Sequence, residues 1–185
     1  MRFLTLSEKY NLPRCVSVQN PYSLVNRLYE VGMAEMSVRT GAGLLAYSPL
    51  AFGLLSGKFH DGRADENCRL IKFRKALPRY TGENTFEAAG KYAQIAAKYD
   101  LRPAHLALAY VNMQPFVTSN IIGATSMQQL KENIDSIDVT LSKDCIKDLN
   151  QVNELIPNRL GTDDSSRRNG GRANRHGNRA GVTRR

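Results

Sequence analysis

No run of apolar residues in this 185-residue chain approaches the ~18 that a membrane-spanning helix needs. The first nine residues carry charge too early, and have too little apolar core, for a secretory signal. Cysteine is scarce as well: Cys15, Cys68 and Cys145 are widely spaced and odd in number, which fits neither a disulfide framework nor a zinc site. We therefore expect a soluble, cytoplasmic protein with buried structural thiols, no metal and no membrane partner.

Negative charge is also in short supply, since 26 Lys and Arg residues against 17 Asp and Glu residues give a net charge of +9. Most of the excess lies in Asn158 to Arg185, where eight Arg and two Asp residues contribute +6. After Leu160 this segment has too few apolar side chains to offset the entropy of ordering it. We predict a globular part over residues 1–157 and a disordered basic tail over residues 158–185.

The tail admits two interpretations. Tails rich in arginine and glycine can bind RNA by phosphate attraction and base stacking. No aromatic residue interleaves with the arginines here, so nucleic acid is not the partner we expect. We favour a solvated extension without a role, such as a product of out-of-frame translation.

Strand-like and helical segments alternate along the globular part. Strands are predicted over 15–19, 44–47 and 117–122, and helices over 2–10, 30–40, 84–99, 127–136 and 143–156, with another starting at Pro103. Helical spacing relates Val31 to Val38 in the second helix, and Leu106 and Tyr110 are predicted to face inward. A continuous apolar run, 44–47, suggests a strand buried on both faces. The alternation favours a parallel α/β arrangement.

The segment 120–133 ends a strand, turns at a glycine and begins a helix. Gly123 permits a tight turn, and Ser126 with Gln129 forms an S-x-x-Q capping box. One face of the helix then carries three polar side chains, namely Gln129, Glu132 and Asn133. Such a helix N-terminus suits a phosphate with an adenine beside it, although an ordinary strand-to-helix connection has the same outline.

Two earlier segments change this interpretation. They are Val16 to Tyr22 and Gly43 to Lys58, the latter reading GLLAYSPLAFGLLSGK. In this order the three segments resemble the aldo-keto reductase family, especially its bacterial branch near the potassium-channel β subunits. The resemblance covers the chain to about residue 157. It implies an α/β fold that is the C-terminal portion of a (β/α)8 barrel, strands six to eight with their helices, and a site at the carboxyl ends of the strands.

The resemblance also implies a cofactor, NADP(H), with NAD(H) as the alternative. The residues that it assigns to cofactor binding are Gln19, Tyr47, Ser48, Pro49, Leu50, Lys58, Arg69, Gly123, Thr125, Gln129, Glu132 and Asn133. Gln19 would hold the nicotinamide carboxamide, unless it is a buried glutamine satisfied by backbone. Tyr47 would stack on the ring, unless it is a core aromatic, and Lys58 would meet a phosphate, unless it is a solvated surface lysine. Gln129 replaces an arginine of many relatives, which removes a charge that favours NADP.

A whole barrel needs about 250 residues, so strands one to five are expected to be missing from this chain. The family's catalytic Asp, Tyr, Lys and His lie on that half, and we place no catalytic residue here. The implied parent chemistry is hydride transfer between C4 of the nicotinamide and a small-molecule carbonyl. We expect no turnover by this chain alone, and a missing barrel half or self-association as its partner. The alternative is a non-enzymatic nucleotide-binding or regulatory module.

Overall fold

Three strands form one parallel sheet in the order β1–β2–β3. The computed structural model describes residues 2–156. Its strands are β1 (Ser17–Pro21), β2 (Gly43–Tyr47) and β3 (Val117–Ile121). The parallel α/β arrangement is confirmed, and each strand lies within two residues of its predicted position. The predicted tail lies outside the described residues.

Helices precede, separate and follow the strands. They are α1 (Arg2–Tyr10), α2 (Met33–Thr40), α3 (Arg69–Lys72), α4 (Glu83–Lys98), α5 (Pro103–Asn112), α6 (Met127–Asp135) and α7 (Lys143–Leu155). Short 3-10 turns lie at Leu28–Glu30, Ala51–Ser56, Arg74–Ala76, Pro78–Tyr80 and Ser136–Asp138, and the second is interrupted by non-helical backbone at Phe52 and Gly53. Among these described helices, none is both long enough and apolar enough to cross a membrane.

Helix α5 lies at the centre of the core. Residues 106–111 are all buried, because this helix packs against β3, α4, α6 and the 3-10 turn that follows β2. The predicted inward positions Leu106 and Tyr110 are confirmed. In β2, Leu44 and Ala46 are fully buried whereas the alternate residues are partly exposed. The strand is therefore covered on one face, and the prediction of burial on both faces is wrong.

The most deeply buried residue of α2 is a serine, and Met33 and Ala34 are partly buried against the core. Val31 and Val38 are 81% and 61% exposed, while Ser37 is buried. The Ser37 hydroxyl lies 2.6 Å from the hydroxyl of buried Tyr29, and this hydrogen bond satisfies both groups. Ser37 therefore faces the core, whereas the two valines, although helically spaced, face solvent. The helix ends as predicted at Gly41, whose φ of 69° is left-handed.

A buried polar network ties the segment after β1 to the helices. Arg27 donates to both carboxylate oxygens of Glu30 at 2.7 Å and to Oδ1 of Asn150, on α7, at 2.8 Å. The Tyr22 hydroxyl donates to Glu30 Oε1 at 2.6 Å, and that of Tyr110, on α5, does so at 3.3 Å. One carboxylate therefore joins the end of β1 to the core helix, and its arginine partner reaches α7.

This network makes a prediction about alkaline stability. Burial raises the pKa of Tyr22 well above its usual value of 10.0, and the charges of Tyr110 and Glu30 raise it further. A raised folded-state pKa gives stability that is complete below the unfolded pKa and is lost as pH rises above it. We expect the free energy of unfolding to fall between about pH 10 and pH 11, and to fall by about 1 kcal/mol less in Tyr22→Phe. Urea unfolding of both proteins measures this, and parallel pH profiles would contradict it.

Candidate functional site at the carboxyl edge of the sheet

The three strands end together at one edge of the sheet. Pro21 lies opposite Tyr47, and Tyr47 lies opposite Ile121, so the segments that follow leave from the same place. Gln19 and Tyr47 point to the face that the helices do not cover. Gln19 is exposed and Tyr47 is partly exposed, so neither is the buried core residue that the alternative interpretation required.

The loop after β2 has an uncommon backbone. Ser48, Ala51 and Phe52 have φ values of 56°, 49° and 58°, and Gly53 has 90°. Left-handed residues other than glycine are rare and cluster at functional sites. Leu50, at φ −94° and ψ 10°, precedes left-handed Ala51. This right-handed then left-handed pair is the conformation of backbone nests that bind anions.

Two predicted cations flank this loop. The Lys58 Nζ lies 3.2 Å from the point where a Cβ on Gly53 would stand, so the side chain folds back over the loop. The Arg69 guanidinium carbon lies 5.0 Å from the centre of the Phe52 ring. Both side chains predicted to meet phosphate or adenine therefore lie against the segment that follows β2.

Tyr80 anchors the polar stretch 59–83 on the same loop. Its ring centre is 5.1 Å from that of Phe52. Burial raises the pKa of Tyr80, against the smaller opposing effects of Arg79 and Ser48, so the phenol stays protonated at neutral pH. The stretch contains α3 and two of the 3-10 turns, and thus has more local structure than its sequence predicts.

Side chains of α6 hold the turn that follows β3. The Ser126 hydroxyl accepts from the Gln129 amide at 3.2 Å, which confirms the predicted N-cap. The Gln129 side chain reaches the backbone N and the hydroxyl of Thr125, each at 3.0 Å, and not the Ser126 amide that a capping box requires. Asn133, which is 8% exposed, donates to the Gly123 carbonyl at 3.4 Å. The side chains of Gln129 and Asn133 therefore hold the turn between β3 and α6 in its conformation.

Arg102 joins the two loops, and the sequence analysis did not identify it. Its guanidinium donates to Glu132 Oε1 at 2.7 Å, and Gln128 donates to the same oxygen at 3.2 Å. The next residue, Pro103, packs against Gly57, where an added Cβ would lie 2.8 Å from Pro103 Cγ. The N-terminus of α5 thus contacts the loop after β2 on one side and α6 on the other. No local spacing signals an ion pair between residues 30 positions apart.

Two of the three histidines lie within the described residues. His60 packs against Gly90 of α4, and His105 lies within α5. His176 lies outside the described residues. Within residues 2–156, no three His, Cys, Asp or Glu side chains are grouped so as to hold a metal ion.

The sequence model of the Aldo/keto reductase family matches residues 5–154. The chain belongs to the aldo-keto reductase family. It is 47% identical over 155 residues to protein tas of Escherichia coli (strain K12), covering 84% of this chain and 44% of that protein. It is 36% identical over 139 residues to an aldo-keto reductase of Babesia bovis, covering 72% and 49%. To a putative voltage-gated potassium channel subunit beta of Schizosaccharomyces pombe it is 27% identical over 159 residues, covering 82% and 46%.

These matches confirm the resemblance drawn from the three motifs, including its potassium-channel β branch. The aldo-keto reductase family implies a (β/α)8 barrel, and the three-stranded parallel sheet is consistent with part of one. The chain spans less than half the length of the curated relatives named above.

The contact between Gly57 and Pro103 leads to a prediction about stability. Gly57 has a φ of 87°, and a Cβ there would clash with Pro103, whereas Gly62 has a φ of 78° and open space around it. Both alanine substitutions strain the backbone, but only Gly57→Ala also pushes the loop off α5. We expect Gly57→Ala to cost about 1–3 kcal/mol more than Gly62→Ala in urea unfolding. Equal losses would mean that the loop is not held by α5.

Proposed function

We propose that this chain binds a nicotinamide dinucleotide at the carboxyl edge of its sheet, as the cofactor-holding part of an NAD(P)H-dependent aldo-keto reductase. One observation carries the proposal: the segments after β1, β2 and β3 start at aligned strand ends, and 11 of the 12 predicted cofactor residues lie on or directly beside them. Arg69 completes the set through its contact with Phe52. We expect this partial domain to span residues 1–157 and the protein to function in the cytoplasm.

The site suits each portion of the cofactor. Gln19 offers an amide to the nicotinamide carboxamide, and Tyr47 offers a ring face for stacking. The Lys58 ammonium, which lies over the loop after β2, suits the diphosphate, because an anion is stabilised by a nearby cation. In the nest at residues 50–51, the Ala51 amide donates to the Ser48 carbonyl at 2.9 Å and would have to exchange that partner for a phosphate oxygen. Gln129 and Asn133 would face the adenosine, with Arg69 beside the adenine. The bound cofactor would supply a hydride from C4 of its nicotinamide ring to a carbonyl substrate.

The charges at this edge favour NADP(H), with NAD(H) as the alternative. Lys58, Arg69 and Arg102 all lie on the segments that surround the proposed diphosphate and adenosine sites. Their partners are aromatic rings, backbone or the partly exposed carboxylate of Glu132, so a phosphate can recruit them at modest cost.

Nucleotide binding should depend on the two amide side chains of α6. We expect Gln129→Ala and Asn133→Ala each to weaken NADPH binding by about 1–2 kcal/mol, because each removes a hydrogen-bonding group from the site. Gln94→Ala is the matched control, since Gln94 is an exposed amide on α4. Fluorescence titration of NADPH measures the affinities, and thermal melts verify that each variant is folded. Unchanged affinity in both α6 variants would refute the placement of the adenosine.

The chain also has a face that suits further strands. In the described residues, β1 and β3 each pair along one edge only. Beside the free edge of β3 lies a cleft of about 440 Å³, lined in part by Ile134 and Ile137, which are 56% and 67% exposed. Asn120 Oδ1 is buried there without a hydrogen-bond partner. Unpaired edges with apolar flanks favour association, and we infer that the first five strands of an aldo-keto reductase barrel pair here, or a second copy does so in their absence.

We therefore expect this chain to reduce a carbonyl substrate only when another chain supplies the first five strands of the barrel. The proton donor for the carbonyl oxygen is proposed to lie on those strands, and losing such a donor costs about a hundredfold or more. We expect the purified chain to associate and not to oxidise NADPH with an aldehyde. Co-expression with the part of E. coli protein tas that this chain does not cover should give a monodisperse complex that does. Tyr47→Ala in the same complex is the control for a cofactor bound at this site.

A monomeric chain that consumes NADPH with an aldehyde by itself would contradict the proposal. A second candidate is a nucleotide-binding regulatory module, which the similarity to the potassium channel subunit beta supports. A complex that binds NADPH tightly and turns over no aldehyde would favour that candidate.

A further inference from the structure

Arg102 occupies a position that does not suit an arginine. It is the N-cap of α5, where Ser, Thr, Asp and Asn are preferred because their side-chain oxygens accept from the first free amides. Arginine has donors only, and its charge is unfavourable beside the positive end of the helix dipole. Its side chain makes no capping hydrogen bond. Helix stability does not explain this residue, and its contacts must be sought elsewhere.

Those contacts lie on the face of α6 that carries the predicted adenosine residues. Arg102 pairs with Glu132, with 65% and 31% of the respective side chains exposed. Arg102 is exposed and Glu132 is partly exposed, and surface pairs contribute about 0–1 kcal/mol, so the guanidinium can exchange Glu132 for a stronger anion. A doubly charged phosphate is such an anion, and the planar fork of arginine matches its oxygens.

Helix α6 itself supplies no cation on the face that carries Gln129, Glu132 and Asn133. Over Met127–Asp135 the one basic residue is Lys131, which lies two positions from both Gln129 and Asn133 and therefore does not share their face of the helix. Gln129 and Asn133 are neutral. Arg63 also faces Glu132: its pKa is raised mainly by its hydrogen bond to Asp61 and, to a smaller extent, by the charge of Glu132. The ion pair of Arg63 is with Asp61 of its own loop, and the influence of Glu132 on it is the weakest of those that act on its pKa.

We propose that Arg102 selects NADP(H) over NAD(H) by leaving Glu132 and binding the 2′-phosphate of the adenosine ribose. This phosphate is the one group in which the two cofactors differ. The exchange also frees Glu132 Oε1 to accept from the adenine amino group, so one movement completes two contacts. The inference rests on the proposed cofactor site and adds to it the residue that determines specificity.

The test compares probes with and without the phosphate. Wild type, Arg102→Gln, Arg102→Lys and Arg39→Gln are titrated with NADPH, NADH, 2′,5′-ADP and 5′-AMP. Arg39 is the matched control, because it forms an exposed 2.7 Å pair with Glu35 on α2. We expect Arg102→Gln to lose about tenfold or more in affinity for NADPH and 2′,5′-ADP, and less than about twofold for NADH and 5′-AMP. Arg102→Lys should recover part of the loss through its charge.

The outcomes separate this inference from the proposed function. If wild type binds NADPH and NADH, and Arg102→Gln weakens both equally or neither, the specificity role is wrong and the cofactor site stands. If wild type binds none of the four probes, the cofactor site itself is wrong and the inference falls with it. A loss confined to the two probes that carry a 2′-phosphate, absent in Arg39→Gln, supports the assignment.

Discussion

The parallel register of the sheet is the constraint on which the site depends. Backbone pairing sets Pro21, Tyr47 and Ile121 side by side, so three segments far apart in sequence begin from one line. The same pairing fixes which side chains face the helices and which do not, because successive residues of a strand point to opposite faces. Leu44 and Ala46 therefore enter the core, while Gln19 and Tyr47 remain on the open face. A shift by one residue would exchange the two sets.

The helices convert this alignment into a shaped edge. The Glu30 network fixes the segment after β1 on α5 and α7, through contacts that partly bury the carboxylate and the Arg27 guanidinium. Breaking one partner of such a pair is costly because the other charge is left buried. Helix α5 then separates the loop after β2 from α6, contacting the first through Pro103 and the second through Arg102. The loops can carry polar side chains and left-handed residues because the strands and helices that support them are well packed.

Local signals in the sequence predicted most of this fold, and tertiary contacts account for what they missed. Ser126 as a cap and Gly41 as a helix end follow from chemistry within a few residues, and both are confirmed. Val38 was misleading because the hydrogen bond between Ser37 and Tyr29 turns the polar side of α2 inward. Helix α4, predicted over 84–99, begins at Glu83 with Gly82 at its N-cap. In the candidate site, motif positions predicted the residues on the loops, whereas the pairing of Arg102 with Glu132 depends on how α5 and α6 pack.

Hydrogen exchange with and without NADPH tests the central claim most directly, because it reports where the nucleotide acts. If the dinucleotide binds at the carboxyl edge, exchange should slow in residues 48–58 and 123–133 when NADPH is added. Exchange in α7, which lies against α4 and away from these loops, should be unchanged. The experiment is to be run on the chain alone and on its complex with the complementing half of protein tas. Protection concentrated in α4 and α7, or none at either loop in the complex, would contradict the account.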